Sequence, residues 1–112
     1  MTQNEKELLD QLLEKTKRRT IAWEPTAIKD EFVATFRGKF SFTIRRTSNP
    51  DLEAWDYRIT MRDQENREMF TLYDSTPDLA RFLPELFEEA RRTALKVDEA
   101  LAEVLEDLKR SA

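Results

Sequence analysis

The chain has 112 residues, of which 38% are charged and 39% are hydrophobic, and its net charge at pH 7 is −4. It contains no histidine, no cysteine and one glycine, which excludes zinc fingers, disulfide scaffolds, thiol or histidine catalysis and glycine-rich phosphate loops. This length predicts a single domain, residues 1–112, with a core of its own.

The composition also indicates where the protein works. A chain without cysteine suits a reducing compartment. The first residues lack the basic and then apolar pattern of a signal peptide. Apolar runs of two or three residues fall far below the ~20 needed to cross a bilayer. We therefore expect a cytoplasmic protein that does not contact a membrane.

The first predicted element is a helix over residues 4–19. Possible capping boxes begin at Thr2 and Asn4. Four leucines then follow helical spacing, and basic residues fill the last turn, where cations suit the helix dipole. Residues 20–23 predict a short extended piece that ends before Pro25, with Trp23 as a core side chain between helix and sheet.

Alternating apolar and polar residues then predict four strands. Strands 32–37 and 40–45 flank Gly38, and pairing Phe36 with Phe40 places every apolar side chain of this hairpin on one face. A turn at residues 47–51 leads to a third strand, 55–62. A turn with Asn66 in the left-handed conformation leads to a fourth, Glu68–Tyr73, whose Phe70 and Leu72 face the core. Short loops between consecutive strands predict an antiparallel meander.

The last part of the chain predicts a helical turn at residues 77–82 and then one long helix over 84–109. Such a helix is roughly 39 Å long, whereas a strand of ~7 residues spans about 23 Å. The helix should therefore overhang the sheet. The predicted fold class is α+β, with two layers. A four-stranded antiparallel meander is covered on one face by an N-terminal helix and a long C-terminal helix, in the order α-β-β-β-β-α.

Carboxylate pairs are the remaining candidates for catalysis, but they fall in predicted loops or on solvent-facing helix surfaces. Asp51, Glu53 and Asp56 lack the glycine and the ligand order of a calcium loop. Ser41 and Thr43 have no histidine to activate them. We therefore expect no enzyme activity, no cofactor and no metal. The carboxylate pairs are Asp30 with Glu31, Glu88 with Glu89, and Asp98 with Glu99.

A basic patch is one candidate binding surface. Arg45, Arg58 and Arg62 fall on the uncovered face of the predicted sheet, and Arg37 and Lys39 lie at the hairpin tip. Guanidinium groups suit phosphates, so one hypothesis is a protein that binds single-stranded nucleic acid. Most aromatic residues alternate onto the core side, however. The simpler interpretation is a solvated face on which arginines neighbour threonines and an aspartate.

The overhanging end of the last helix is the other candidate surface. Leu101, Val104, Leu105 and Leu108 form a seam that the shorter first helix cannot fully cover. Two copies could pair there about a two-fold axis. The leading hypothesis is therefore a non-enzymatic module for protein–protein interaction or self-association, as a homodimer or with an unidentified protein partner. Both binding hypotheses require arginine rows that face solvent and one continuous helix after Pro84.

Four features of the chain form a recognisable set. They are Trp23, the hairpin around Gly38, the strand Tyr57-Arg58-Ile59 with its Asp63 turn, and the ending from Leu83 through Leu86-Phe87 and Ala90-Arg91 to Val97-Asp98. Together they resemble a family of small uncharacterised bacterial α+β proteins of about this size. The resemblance implies a bacterial source and no activity, substrate or site.

Overall fold

The computed structural model describes residues 1–111, which form three helices and five strands in the order α-β-β-β-β-β-α-α. The α+β class is confirmed, but the prediction of four strands and two helices is wrong by one strand and one helix. No helix among these residues is both long and apolar enough to cross a membrane. The elements are α1 (Gln3–Lys17), β1 (Glu24–Pro25), β2 (Glu31–Phe36), β3 (Phe40–Asn49), β4 (Ala54–Arg62), β5 (Glu68–Tyr73), α2 (Phe82–Ala94) and α3 (Val97–Arg110).

The five strands form one antiparallel sheet in the order β1-β2-β3-β4-β5. Phe36 lies opposite Phe40, so the predicted hairpin register is confirmed. The additional strand is β1, in which Pro25 lies opposite Phe32. It follows the extended piece predicted at residues 20–23 instead of coinciding with it, because Trp23 turns into the core.

Two turns of the sheet agree with their sequence and one does not. Arg37 and Gly38 in the hairpin have φ of 57° and 66°, and Asn66 has the predicted positive φ, 65°. The turn predicted at residues 47–51 starts later. Strand β3 continues to Asn49, which lies opposite Ala54 of β4. Backbone pairing therefore extends through a segment rich in turn-forming residues.

Helices α1 and α2 cover one face of the sheet. Leu83, Leu86 and Phe87 of α2 are fully buried against the strands, together with Leu9 of α1. Trp23 is 3% exposed, which confirms its predicted place in the core. The core face of β5 is confirmed as well, since its apolar side chains Phe70 and Leu72 pack against this core while partly exposed.

The prediction of one continuous helix over residues 84–109 is wrong. Helix α2 ends at Ala94, and Lys96 has a left-handed conformation, with φ 54° and ψ 45°, before α3 begins at Val97. Helix α2 begins at Phe82, two residues earlier than predicted. Pro84 is tolerated there because it lies in the first turn of the helix, where a backbone N–H would have no partner within the helix. Among residues 1–111 only α1 and α2 cover the sheet. The continuous helix that both binding hypotheses required is therefore absent, and the argument from the length of one overhanging rod is lost. A binding proposal has to rest instead on the side chains that α3 and the uncovered face of the sheet leave exposed.

Candidate interaction surfaces

Helix α3 has an apolar face that no other part of residues 1–111 buries. Its apolar side chains are spaced three or four residues apart, so they line up on one side of the helix. Their exposed fractions are 57% for Leu101, 56% for Val104, 53% for Leu105 and 65% for Leu108. We call these four residues the α3 stripe. The structure thus brings together the four residues of the predicted seam on one open surface.

The first turn of α3 is attached to the rest of the protein by a cluster of ion pairs, here called the Asp98 clamp. One carboxylate oxygen of Asp98 accepts a hydrogen bond from Arg92 at 2.5 Å, and the other accepts one from Arg19 at 3.3 Å. Arg19 also donates to Glu89 at 2.7 Å. The clamp joins α3 to α2 and to Arg19, the second residue after α1, while the α3 stripe extends away from them.

These contacts shift the protonation of the groups that make them. The hydrogen bond from Arg92, with a smaller contribution from Arg19, holds the pKa of Asp98 below its usual value. The hydrogen bond to Glu89 is the main reason that the pKa of Arg19 lies above its usual value. Asp98 also lies at the positive end of the α3 dipole, which favours its charged form.

A second apolar surface lies between α1 and the β2–β3 hairpin. It is a pocket of about 320 Å³, which is at the lower end of the range for ligand sites. Gln11 and Lys15 of α1 are its polar residues. Lys15 makes no ion pair with any carboxylate in residues 1–111. We call this surface the apolar groove; its wall includes Leu8, Leu12, Ile21, Phe36, Phe40 and Met61.

The groove was not predicted, because its side chains follow the same apolar pattern as those of a closed core. Leu9 and Leu12 are buried, but Leu8 and Leu13 on the same broad leucine face are only partly buried. Phe40, at the end of the hairpin, is 38% exposed. The apolar face of α1 is wider than the surface that one neighbouring element can cover. This width was the signal in the sequence that could have indicated a partly uncovered surface.

The basic residues lie on the face of the sheet that no helix covers. Arg45 of β3 lies directly opposite Arg58 of β4, and Arg62 lies opposite Ser41 on the same face. Arg37 and Lys39 lie in the turn that joins β2 to β3. The structure therefore brings Arg45 and Arg58 together and places the other three predicted cations toward the hairpin end.

Arg45 and Arg58 place two like charges opposite each other on neighbouring strands. No carboxylate among residues 1–111 forms an ion pair with Arg45, Arg58 or Arg62. The Nε atom of Arg45 is shielded from solvent without a hydrogen-bond partner. Like charges directly opposite each other destabilise a sheet. A bound anion would relieve this repulsion.

Carboxylates also lie next to these arginines. Glu31 of β2 lies directly opposite Arg45, and Glu68 of β5 lies opposite Arg62. These acids offset part of the positive charge of the face.

Hydroxyl groups and one aromatic ring lie on the same face. Thr60 and Thr71 place their hydroxyl oxygens 3.1 Å apart in the adjacent row. Tyr73, which is 49% exposed, lies opposite Arg58 and offers one aromatic ring to solvent. Asp56 accepts a hydrogen bond from the side chain of Asn49 at 3.3 Å. The face combines cations, carboxylates, hydroxyls and one ring.

The carboxylate pairs do not form acid–base pairs. Asp30 contacts Arg46 at 3.5 Å, whereas its neighbour Glu31 accepts a hydrogen bond from the hydroxyl of Thr26. Glu88 contacts Arg91, and Glu89 contacts Arg19. Among residues 1–111 the structure contains no group of three His, Cys, Asp or Glu side chains that could hold a metal ion.

Arg46 is a residue that the sequence analysis missed. Its guanidinium carbon lies 4.2 Å from the ring centroid of Trp55 and 4.7 Å from that of Phe87, and its Nε atom is shielded without a partner. Stacking on two rings stabilises the charge by cation–π attraction. Side chains two residues apart in a strand lie on the same face, so the pattern that places Phe42 and Ile44 in the core also places Arg46 on the core face. This spacing was the signal in the sequence that could have identified Arg46.

Comparison with protein-family models, with curated proteins and with solved structures finds no match to this chain.

Proposed function

We propose that this protein is a non-enzymatic interaction module that binds a second copy of itself through the α3 stripe. The observation that carries the proposal is the exposure of 53–65% at four leucine or valine side chains on one helix face. Burying the rest of each side chain contributes about 1 kcal/mol. A contact that covered all four on both copies would therefore offset a substantial part of the cost of association, about 4–15 kcal/mol.

Two further properties of the chain support this function over catalysis. It has neither histidine nor cysteine, so a nucleophile would depend on lysine or a carboxylate for activation. The carboxylates with the clearest geometry are paired with arginines at or near the surface, as in the Asp98 clamp, and the apolar groove is lined by no acid among residues 1–111.

The test is the mass of the protein as a function of its concentration, measured by sedimentation equilibrium. We expect the native chain to pass from monomer toward dimer, and Leu101→Ala with Leu105→Ala to remain monomeric. Glu103→Ala with Glu106→Ala is the matched control, because it truncates two side chains on the opposite side of the same helix. A native chain that is monomeric at every concentration would exclude self-association.

A second candidate function has its own observation, the arginines Arg45 and Arg58, which lie opposite each other on the uncovered face. We propose as the alternative that this face binds single-stranded nucleic acid through its phosphates, with Tyr73 available for stacking on a base. The net charge of −4 opposes any general attraction to polyanions, so such binding would depend on this local patch.

Titration of a fluorescent oligothymidine at about 50 mM salt tests the alternative. Binding should weaken with a log–log salt slope of about −0.7 for each phosphate contact. Arg45→Gln with Arg58→Gln should abolish it. Arg18→Gln with Arg110→Gln, which removes two charges from helix surfaces, should leave the affinity nearly unchanged. Absence of binding by the native chain at low salt would exclude this function.

A further inference from the structure

Residues 1–111 present the α3 stripe on a helix and, separately, the apolar groove between a helix and a hairpin. We infer that in a two-fold dimer the α3 stripe of each copy lies in the apolar groove of the other. This inference rests on the proposed self-association through α3 and names the surface that receives the helix.

The area of the α3 stripe is the first reason to look beyond contact between two α3 helices. At the exposures above, the four side chains present roughly 300 Å² of apolar surface per copy. Stable interfaces bury about 800 Å² on each partner. A helix that lies in a groove also buries its own flanks and the groove wall, and a reciprocal dimer makes this contact twice. The groove therefore supplies area that a lone helix pair lacks.

Charge is the second reason. Residues 97–110 contain five acidic and two basic side chains. Two such helices side by side would place acids near acids. The rim of the groove carries Lys15, which has no carboxylate partner within residues 1–111, and no acidic residue lines the groove there. An acidic helix therefore suits the groove better than it suits a second acidic helix.

The occupant comes from a second copy and not from the same chain. Helix α3 contributes no residue to the wall of its own groove. The Asp98 clamp fixes the first turn of α3 on Arg92 and Arg19, beyond the C-terminal end of α1. The groove instead follows α1 from Leu8 to Lys15. With this attachment intact, the helix that fills a groove belongs to the other copy.

Disulfide cross-linking tests the pairing directly, because the native chain has no cysteine. Ala100 borders the α3 stripe, and Gln11 lies at the groove. A mixture of Ala100→Cys and Gln11→Cys chains should give a covalent heterodimer on mild oxidation. Replacing Gln11→Cys by Lys6→Cys, which lies roughly 140° away around α1 and is also exposed, should lower the yield at least tenfold. Ala100→Cys alone should cross-link poorly.

A charge-matched pair of variants tests the same surface without cysteine. Gln11→Glu with Lys15→Glu makes the groove acidic and should raise the dimer dissociation constant at least tenfold. Gln3→Glu with Lys6→Glu makes the identical change on α1 outside the groove and should leave it unchanged. All four positions are exposed, so the core is not altered.

The outcomes separate the two proposals. A monomeric native chain would overturn both of them. A dimer that tolerates Gln11→Glu with Lys15→Glu would overturn the groove and leave self-association through α3 in place, as would strong cross-linking of Ala100→Cys chains to each other. Loss of the dimer only in the groove variant, together with cross-linking only in the mixture, supports the reciprocal arrangement.

Discussion

At the scale of single residues, the core depends on one polar contact between α1 and the segment that follows it. The Trp23 indole N–H donates to the Thr16 hydroxyl at 2.9 Å, and that hydroxyl donates to the carbonyl of Leu12 at 2.6 Å. Both side chains are buried. A buried donor that loses its acceptor keeps its full desolvation cost, so the two residues are coupled.

We expect Thr16→Val to destabilise the protein by about 1–3 kcal/mol, because the shape is nearly kept while the indole N–H loses its acceptor. Urea unfolding followed by tryptophan fluorescence measures the change. Thr93→Val is the matched control. Thr93 also donates to a carbonyl four residues earlier, but it receives no bond from an indole. Equal losses in the two variants would contradict this account of the coupling.

Arg46 is a second residue for which chemical detail matters. Because its planar group stacks on Trp55 and Phe87, the ammonium of lysine is a poor replacement. We expect Arg46→Lys to cost about 0.5–2 kcal/mol and to change the emission of Trp55. Arg45 precedes Arg46 and lies on the uncovered face of the sheet. Arg45→Lys should therefore change the free energy of unfolding by no more than about 0.5 kcal/mol. The same loss at both positions would show that stacking is not the cause.

At the scale of elements, the hairpin of β2 and β3 was predictable for a definite reason. A shift of one residue would have placed Phe36 against Ser41 and half of the apolar side chains in solvent, so only one register was acceptable. Asn66 was predictable because few residues tolerate a positive φ. These features are determined by residues near one another in the sequence.

The break between α2 and α3 was not predictable in this way. Residues 94–97 read Ala-Leu-Lys-Val, with no glycine or proline to end a helix, and Lys96 adopts its left-handed conformation at a cost of about 1–2 kcal/mol. What compensates is the Asp98 clamp, whose partner Arg19 is 79 residues away in the chain. The apolar groove was missed for the same reason, because it too depends on how distant elements pack.

The clamp makes the position of α3 dependent on pH. Because the pKa of Asp98 is lowered in the folded protein, chiefly by Arg92, its stabilisation is complete above the ordinary value of about 3.9 and is lost as the pH falls through the lower folded value. As the pH falls through that lower pKa, we expect the distribution of distances between spin labels on α1 and α3 to become broader, while the core remains folded.

Two variants define this prediction. Asp98→Asn should show the broad distribution of α1–α3 distances at every pH, because a neutral amide cannot bind two arginines as a carboxylate does. Asp107→Asn should behave like the native chain, because Asp107 pairs with Arg110 within α3 itself. A narrow distribution of distances in Asp98→Asn would mean that apolar contacts between α2 and α3 hold α3 in place without the clamp.

At the scale of the whole molecule, the core and the α3 stripe are separate parts. Every buried side chain belongs to α1, α2, the sheet or the segments between them, and none belongs to α3. Folding of the monomer and self-association should therefore respond to different changes. Association also stabilises a fold by mass action, so it should make the thermal midpoint depend on protein concentration.

A chain that ends at Lys96 tests this separation. We expect it to fold with a thermal midpoint close to that of the dilute native chain, since α3 contributes no buried side chain to the core. Its midpoint should not change with concentration, whereas that of the native chain should rise as dimers form. The full-length variant Leu101→Ala with Leu105→Ala should behave like the shortened chain in this respect. If the shortened chain instead melted well below the dilute native chain, α3 would be packing on its own core in solution. The α3 stripe would then be unavailable to a second copy.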